Sequence, residues 1–268
     1  MPLMINVSYP FNKLILRWNY DSRFVIMRVM FYKLISRSIS INMKIITAPG
    51  PVSYPLIIAG REFKDLELQF GKESRDADAI ADSLVSLARR GLRPTVITVR
   101  RLMVIYPELR GPNVGVWHRG SAADVLIRAF IDKAGVGDIN LVYADDWYSL
   151  LNMLNLGRIQ SAVLNVALVN DRNAVFLEDA VGVPGACGIY INGEPEPIIN
   201  VYEAGIELAR EDPEGSAEYV IKNLPIKLPK EFVVNVLRRV EYGVFKPSDR
   251  DVDRLISIVN TYGVITNG

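Results

Sequence analysis

Residues 109–136 read LRGPNVGVWHRGSAADVLIRAFIDKAGV, and how they are parsed decides the fold. Val114, Gly115, Val116 and Trp117 form a short apolar run, long enough for a buried strand. Gly120 and Ser121 follow as a tight turn. Ser121 is a good helix N-cap, and Asp124 lies in the first turn, where the helix dipole favours an anion. Val125, Leu126, Ala129 and Phe130 recur at helical spacing. Asp124, Arg128 and Asp132 repeat every four residues and are expected on the opposite face. Gly135 is placed to end the helix. Strand, turn and helix in this order belong to an α/β sheet. There the turn at a strand's carboxyl end presents backbone N–H groups and the positive end of the dipole to a ligand. His118 and Arg119 sit beside that turn.

Composition narrows the classes of function. The chain has 268 residues, half of them hydrophobic, enough for one large or two small domains. A net charge of +1 gives no bulk electrostatic case for nucleic acid. Cys187 is the one cysteine and His118 the one histidine, so a disulfide framework and Cys- or His-rich metal sites are not expected. No metal or cofactor is therefore expected. No run approaches eighteen uninterrupted apolar residues, the rough length of a membrane span.

Residues 1–42 differ from the rest. Lys13, Arg17, Arg23, Arg28, Lys33 and Arg37 stand against the single Asp21, with apolar residues between them. Arg23, Arg28 and Lys33 interrupt what would be the apolar core of a signal peptide, and no small-residue cleavage site follows. Two readings stand. The segment is a basic amphipathic stretch lying on a membrane surface, or it is upstream sequence from a start site set too early, before Met43. The second is preferred because the apolar spacing gives no clean helical stripe. Without a signal peptide the expected place is the cytoplasm, with an extracytoplasmic one open if the true start differs.

From Met43 the pattern is regular. Strands are expected at 44–48, 66–70, 77–81, 139–143, 160–165, 176–178 and 188–192. Helices are expected at 54–59, 84–90 and 147–156, with Asp145 or Asp146 capping the last. Residues 95–106, TVITVRRLMVIY, make a β-rich run long enough to cross between two lobes. After Asn192 the chain reads as helical. Asp212-Pro213 opens one helix, Pro229 another, and Ser248 with Asp251 resembles a capping box for the last. The expected fold is α/β, with mostly parallel sheets and helices on both faces. The expected division is 1–42 as an extension, 43–104 as the first part of lobe one, 105–185 as lobe two, and 186–268 as the return to lobe one with the C-terminal helices.

The order of these motifs resembles the type II periplasmic-binding-protein superfamily, in particular the solute-binding components of nitrate, sulfonate and thiamine-precursor uptake systems. The likeness rests on PLIIAG at 55–60, on DAIADS at 78–83, on LRGPNVGV at 109–116 followed by Gly120-Ser121, and on LNLGRIQSAV at 154–163. Gln160 stands where that pattern has Asp, and no lipid-attachment cysteine lies near the N-terminus. The resemblance implies a two-lobed fold with a ligand cleft between the lobes. By position it puts Ser53, Tyr54, Ser83, Gly120, Ser121 and Ala122 around the cleft, with Asn165 a weaker candidate.

Hydroxyls and N–H groups suit a carboxylate, sulfonate or phosphate. The function implied is capture of a small anionic or zwitterionic organic molecule, with a membrane permease of an ABC-type uptake system as a partner. Plain helix capping is the alternative role for Ser53 and Ser121, and core packing for Tyr54 and Trp117. The alternative function is enzymatic. The fold also resembles cytosolic menaquinone-pathway enzymes of the chorismate dehydratase or naphthoate synthase type, in which case His118 and Ser121 would act. That reading needs His118 to point into the cleft with a polar partner. A ligand-sensing regulator is a third class, but no helix-turn-helix pattern precedes Met43.

Overall fold

A computed structural model describes residues 42–71, 76–170 and 174–263. The readings made of residues 1–42 lie, Asn42 apart, outside the described residues. From the first strand onward the chain runs β1 (Met43–Thr47), a 3-10 turn (Pro51–Ser53), α1 (Tyr54–Ala59), β2 (Leu66–Phe70), β3 (Ala79–Ser83), α2 (Leu84–Arg89) and β4 (Val96–Arg100). It continues with β5 (Met103–Tyr106), β6 (Asn113–Trp117), α3 (Ala122–Ala134), β7 (Asn140–Ala144), α4 (Trp147–Asn155), β8 (Ser161–Asn165), β9 (Val175–Phe176) and α5 (Leu177–Val181). It closes with β10 (Cys187–Ile191), α6 (Glu196–Glu211), α7 (Pro213–Asn223), α8 (Lys230–Arg239), β11 (Glu241–Phe245) and α9 (Asp249–Tyr262).

The strands form two sheets, ordered β11-β4-β10-β3-β1-β2 and β7-β6-β8-β5-β9. This is the two-lobed α/β architecture the sequence implies. The 95–106 run does cross between lobes. It breaks at Arg101, whose φ of 52° is left-handed, so that β4 lies in one sheet and β5 in the other. The change of sheet falls between Arg100 and Met103, where the left-handed residue ends the ladder.

The pairings are more mixed than expected. β1 pairs with β2 and β3, and β6 with β7 and β8, all parallel. β10 is antiparallel to β3 and β4, β11 to β4, and β5 to β8 and β9. The reason lies in the crossings. β5 and β10 each arrive from the other lobe, at the carboxyl edge of their new sheet, and so run against most of its strands. The same fact locates the turns after β1, β3, β6 and β8: they lie on the edge of each sheet that faces the other lobe.

Three readings need correction. Residues 177 and 178 begin α5 and do not extend β9. The C-terminal part is not all helical, since β11 pairs with β4 at the sheet edge. The helical part does not begin at once after Asn192: its first helix starts at Glu196, after Pro195. Local signals elsewhere hold. Asp212 accepts from Gly215 N, and Ser248 and Asp251 make the reciprocal capping box. In lobe one, Ile45, Ile46 and Ile97 of the sheet and Leu56, Ile58 and Leu87 of α1 and α2 are fully buried. α6 lies so close to α1 that a Cβ on Gly205 would fall 1.9 Å from the Pro55 carbonyl oxygen. No helix of the described residues is long and apolar enough to cross a membrane.

Candidate functional site

The turn that opens α3 is built as its sequence suggests. Ser121 Oγ accepts from Asp124 N at 3.1 Å and donates to the Trp117 carbonyl. Gly120 takes φ 79°, and His118 is held left-handed at φ 43°, a strained state for histidine. The His118 carbonyl accepts from Ser121 N at 3.2 Å. The N–H groups of Ala122 and Ala123 follow in the first turn, where a helix has no carbonyl of its own to bond them.

Asp124 departs from expectation. It is 3% exposed and not on a solvent face. Its Oδ2 accepts from Gly120 N at 2.7 Å, and its Oδ1 from Arg128 Nε and the Tyr143 hydroxyl, both at 2.8 Å. Burial and the Asp124 charge raise the Tyr143 phenol above its ordinary range, while the same carboxylate holds the Arg128 guanidinium charged. The chain's own carboxylate therefore already occupies one amide of the turn. Its neighbour Arg119 lies over the Tyr143 ring, 5.0 Å from the centroid.

The remaining expected residues are largely committed to their own backbone. Ser53 and Tyr54 are fully buried. Ser53 Oγ donates to the Gly50 carbonyl at 2.8 Å and caps no helix with its side chain. The Tyr54 hydroxyl is buried without a partner, and burial pushes it well above the ordinary phenol range. Ser83 caps α2, accepting from Ser86 N at 3.1 Å. Beside it the buried Asp82 accepts from Ser83 N at 2.7 Å and from Ser86 Oγ at 2.6 Å. Asn165, also buried, accepts from Ala167 N at 2.9 Å. Of the expected set, Ser83, Gly120, Ser121 and Ala122 keep part of their surface open.

His118 has a poor partner. Its Nδ1 is 3.7 Å from Asp145 Oδ1, and the Asp145 side chain is fully exposed. Asp146, in contrast, caps α4, accepting from Ser149 N at 2.8 Å and Ser149 Oγ at 2.6 Å. An aromatic group lies alongside. The Trp117 ring is 4.8 Å from His118 and 5.3 Å from Trp147, and its Nε1 donates to the Asp145 carbonyl. Tyr148, at the start of α4, meets Phe232 of α8, in lobe one, at 6.2 Å.

Sequence reasoning misses Arg89. From the end of α2 its Nη1 donates to the Gly120 carbonyl, tying the turn to lobe one. A single arginine at a helix end carries no sequence signal of such a reach. Two cavities lie away from these turns. One of about 460 Å³ is bordered by Tyr106, Arg110 and Gln160 in lobe two, and one of about 500 Å³ by Arg100, Arg101 and Glu178 at the crossings. None of the expected site residues lines either one. Among the described residues no His, Cys, Asp and Glu cluster could hold a metal ion.

Two sheets joined by paired crossings, with four strand-end turns between them, define a protein of the type II periplasmic-binding-protein-like fold. Solved structures share it. A Thermoplasma volcanium protein named for nitrate transport superposes with a TM-score of 0.64 at 19% identity, covering 82% of this chain and 95% of its own. An Archaeoglobus fulgidus protein gives 0.56 at 16%, covering 83% and 98%. An ABC transporter protein of Parabacteroides distasonis gives 0.54 at 14%, covering 82% and 92%. The chain belongs to the DUF3834 family, described as proteins of unknown function, whose profile matches residues 39–243. No curated protein matches.

Proposed function

We infer that this protein captures a small anionic or zwitterionic organic molecule between its lobes, at the turn that opens α3. What supports the reading is the combination at that turn. The N–H groups of Ala122 and Ala123 stand at the positive end of a thirteen-residue helix. Arg89 and Arg119 lie close by, and Ser83 is the residue that would complete the site from the opposite lobe on closure. An anionic head would sit on the amides. The half-buried Trp117 and Trp147 would give its carbon skeleton an apolar wall. Ser53, Tyr54 and Asn165 enter this reading as supports of the surrounding turns and not as ligand contacts. Capture needs no bond to be made or broken, only a change in how far the lobes close. A membrane permease of the ABC type is the partner to which such a protein would pass its cargo.

The test is a thermal-shift screen of the full chain against carboxylates, sulfonates, phosphates, pyrimidines and chorismate-like compounds. A ligand at a hundred times its dissociation constant adds roughly 2.7 kcal/mol, which a melting curve resolves. A hit recovered unchanged supports capture. A hit recovered altered would replace it with the enzymatic reading and return attention to His118. A screen with no hit would count against both.

A further inference from the structure

The two crossings between the lobes meet at one carboxyl group. Glu178 of α5 accepts the N–H groups of Leu102 and Met103 through Oε1, both at 3.0 Å, where the chain first enters lobe two. Its backbone carbonyl accepts from Gly182 and Val183, at 2.9 and 3.0 Å, where the chain turns back. Arg100 Nε adds a second tie, to the Pro184 carbonyl at 3.1 Å. Glu178 is 1% exposed. Its Oε2 is sealed from water and has no hydrogen-bond partner. The cavity of about 500 Å³ lies directly against this residue, between the crossings.

A buried carboxylate with one oxygen neither bonded nor hydrated is costly, and the neutral acid is much less so. If the first crossing shifts off α5, cavity water can reach Oε2 and remove that cost. The two ionisation states therefore favour different hinge arrangements. We propose that Glu178 is a proton-controlled clamp on the hinge. Neutral, it holds the crossings as described. Ionised, it favours an arrangement in which Leu102 and Met103 leave Oε1 and water hydrates the carboxylate.

The surrounding charges do not neutralise the group. Asp179, its neighbour on α5, is taken by Arg101 Nε at 3.1 Å, and that guanidinium also faces Glu241 of β11 at 3.8 Å. Arg100 is turned to Pro184 and the Phe245 ring. Asp251 of α9 lines the far side of the cavity, and Arg254 of the same helix abuts Gly182. Lys133 of α3 donates to the Ala180 carbonyl. Cys187 of β10 is buried, and burial keeps it a neutral thiol. In keeping with the geometry, burial raises the Glu178 carboxyl to about 7 against the pull of its own backbone N–H and those of Met103 and Leu102, with the Asp179 charge adding to the rise.

Amide exchange of the full chain tests this directly. Protection of Leu102 and Met103 is measured by NMR from pH 5 to 8.5, each rate corrected for its intrinsic pH dependence. Protection should fall by about tenfold per pH unit between pH 5 and 7, then level off. Glu178→Gln should flatten that profile, whereas Asp179→Asn should keep it. A flat profile in the unmodified protein overturns the proposal, as does a slope that survives in Glu178→Gln. If Glu178→Gln fails to fold, the unmodified protein and Asp179→Asn still decide. A slope abolished by Asp179→Asn would place the titration on the wrong carboxyl and reject the clamp.

Discussion

Arg89, at the end of α2 in lobe one, donates through Nη1 to the carbonyl of Gly120 in lobe two, and through Nη2 to the carbonyl of Gly263 at 3.0 Å. One exposed guanidinium thus links the strained turn before α3 to the C-terminal end of α9. Exposed polar contacts contribute about 1 kcal/mol or less to stability. Arg89→Ala should accordingly leave the melting temperature nearly unchanged. It should raise deuterium uptake in residues 117–123, because the turn loses a tether to the other lobe. Equal uptake in both proteins would mean that Arg89 does not restrain the turn in solution.

The amide of Ala122 can be deleted without disturbing its helix. Ala122 is the first residue of α3, and Ser121 before it is extended, at φ −66° and ψ 169°. Proline is well tolerated at that helix position, and an extended residue is what should precede it. Ala122→Pro should therefore fold with stability within about 1 kcal/mol of the parent. For any anion found in the ligand screen it should weaken binding by about tenfold, the effect of one lost hydrogen bond to a charged group. Unchanged affinity, measured by calorimetry, would move the anion away from this turn.

Much of this architecture is legible before any coordinates, and the reason is locality. Ser121 with Asp124, Asp146 with Ser149, and Ser248 with Asp251 are contacts three residues apart, so a cap can be read from spacing alone. β11 is not legible. Glu241–Phe245 is short, holds a glycine, and becomes a strand by pairing with β4, far away in sequence. α5 is hidden for a similar reason, since a five-residue helix has little periodicity to show. The candidate site is half legible. The turn at 120–122 can be found from its residues, but Asp124 is expected in solvent because Tyr143, which helps to bury it, arrives from a different strand. The side chains of Arg89 and Glu178 act through partners distant in the chain, so no local pattern announces them.

Gly205 should resist substitution. In a helix interior, alanine is intrinsically favoured over glycine by about 1 kcal/mol. Here the added Cβ would lie 1.9 Å from the Pro55 oxygen and 2.5 Å from its carbonyl carbon, both backbone atoms of α1. The two helices would have to separate. Gly205→Ala should lose about 1–3 kcal/mol in urea denaturation, the usual cost of overpacking. Gly115→Ala offers the contrast. Its Cβ would meet Ile159 Cδ1 at 2.4 Å and Leu150 Cδ2 at 2.9 Å, side-chain ends that can rotate away. Its loss should be the smaller. A stabilised Gly205→Ala would contradict the close approach of α1 and α6.

Two tyrosines beneath the Pro51–Ser53 turn should respond in opposite ways to losing a hydroxyl. The Tyr54 hydroxyl is buried with no partner, and an unsatisfied group of this kind costs about 1–3 kcal/mol. Tyr54→Phe should match or exceed the parent in stability. The Tyr242 hydroxyl donates to the Pro51 carbonyl at 3.0 Å. Tyr242→Phe should lose about 1 kcal/mol. Thermal melts of the two variants side by side decide. A destabilised Tyr54→Phe would reveal a partner for that hydroxyl, with ordered water the first candidate.

The sign of the pH dependence follows from which groups titrate. Glu178 is raised from the ordinary 4.5 to about 7, so the folded state favours its neutral form. That contribution is complete below pH 4.5 and declines as the pH rises toward 7. The decline amounts to at most about 3 kcal/mol, since a proton held over each further pH unit contributes about 1.4 kcal/mol. Asp146 and Asp251 act in the other direction. Hydrogen bonds from Ser149 and Ser248 hold these carboxylates below the ordinary 3.8, so the caps contribute above that pH and fade as it falls. Stability of the unmodified protein should therefore peak near pH 4.5 and fall toward neutrality, as followed by urea denaturation from pH 3.5 to 8.5. Glu178→Gln should remove the decline above the peak and leave the acid limb in place, because the caps on α4 and α9 are untouched. A stability that rises from pH 5 to 7 in the unmodified protein would show that Glu178 ionises freely in the folded state, and that its second oxygen is not sealed.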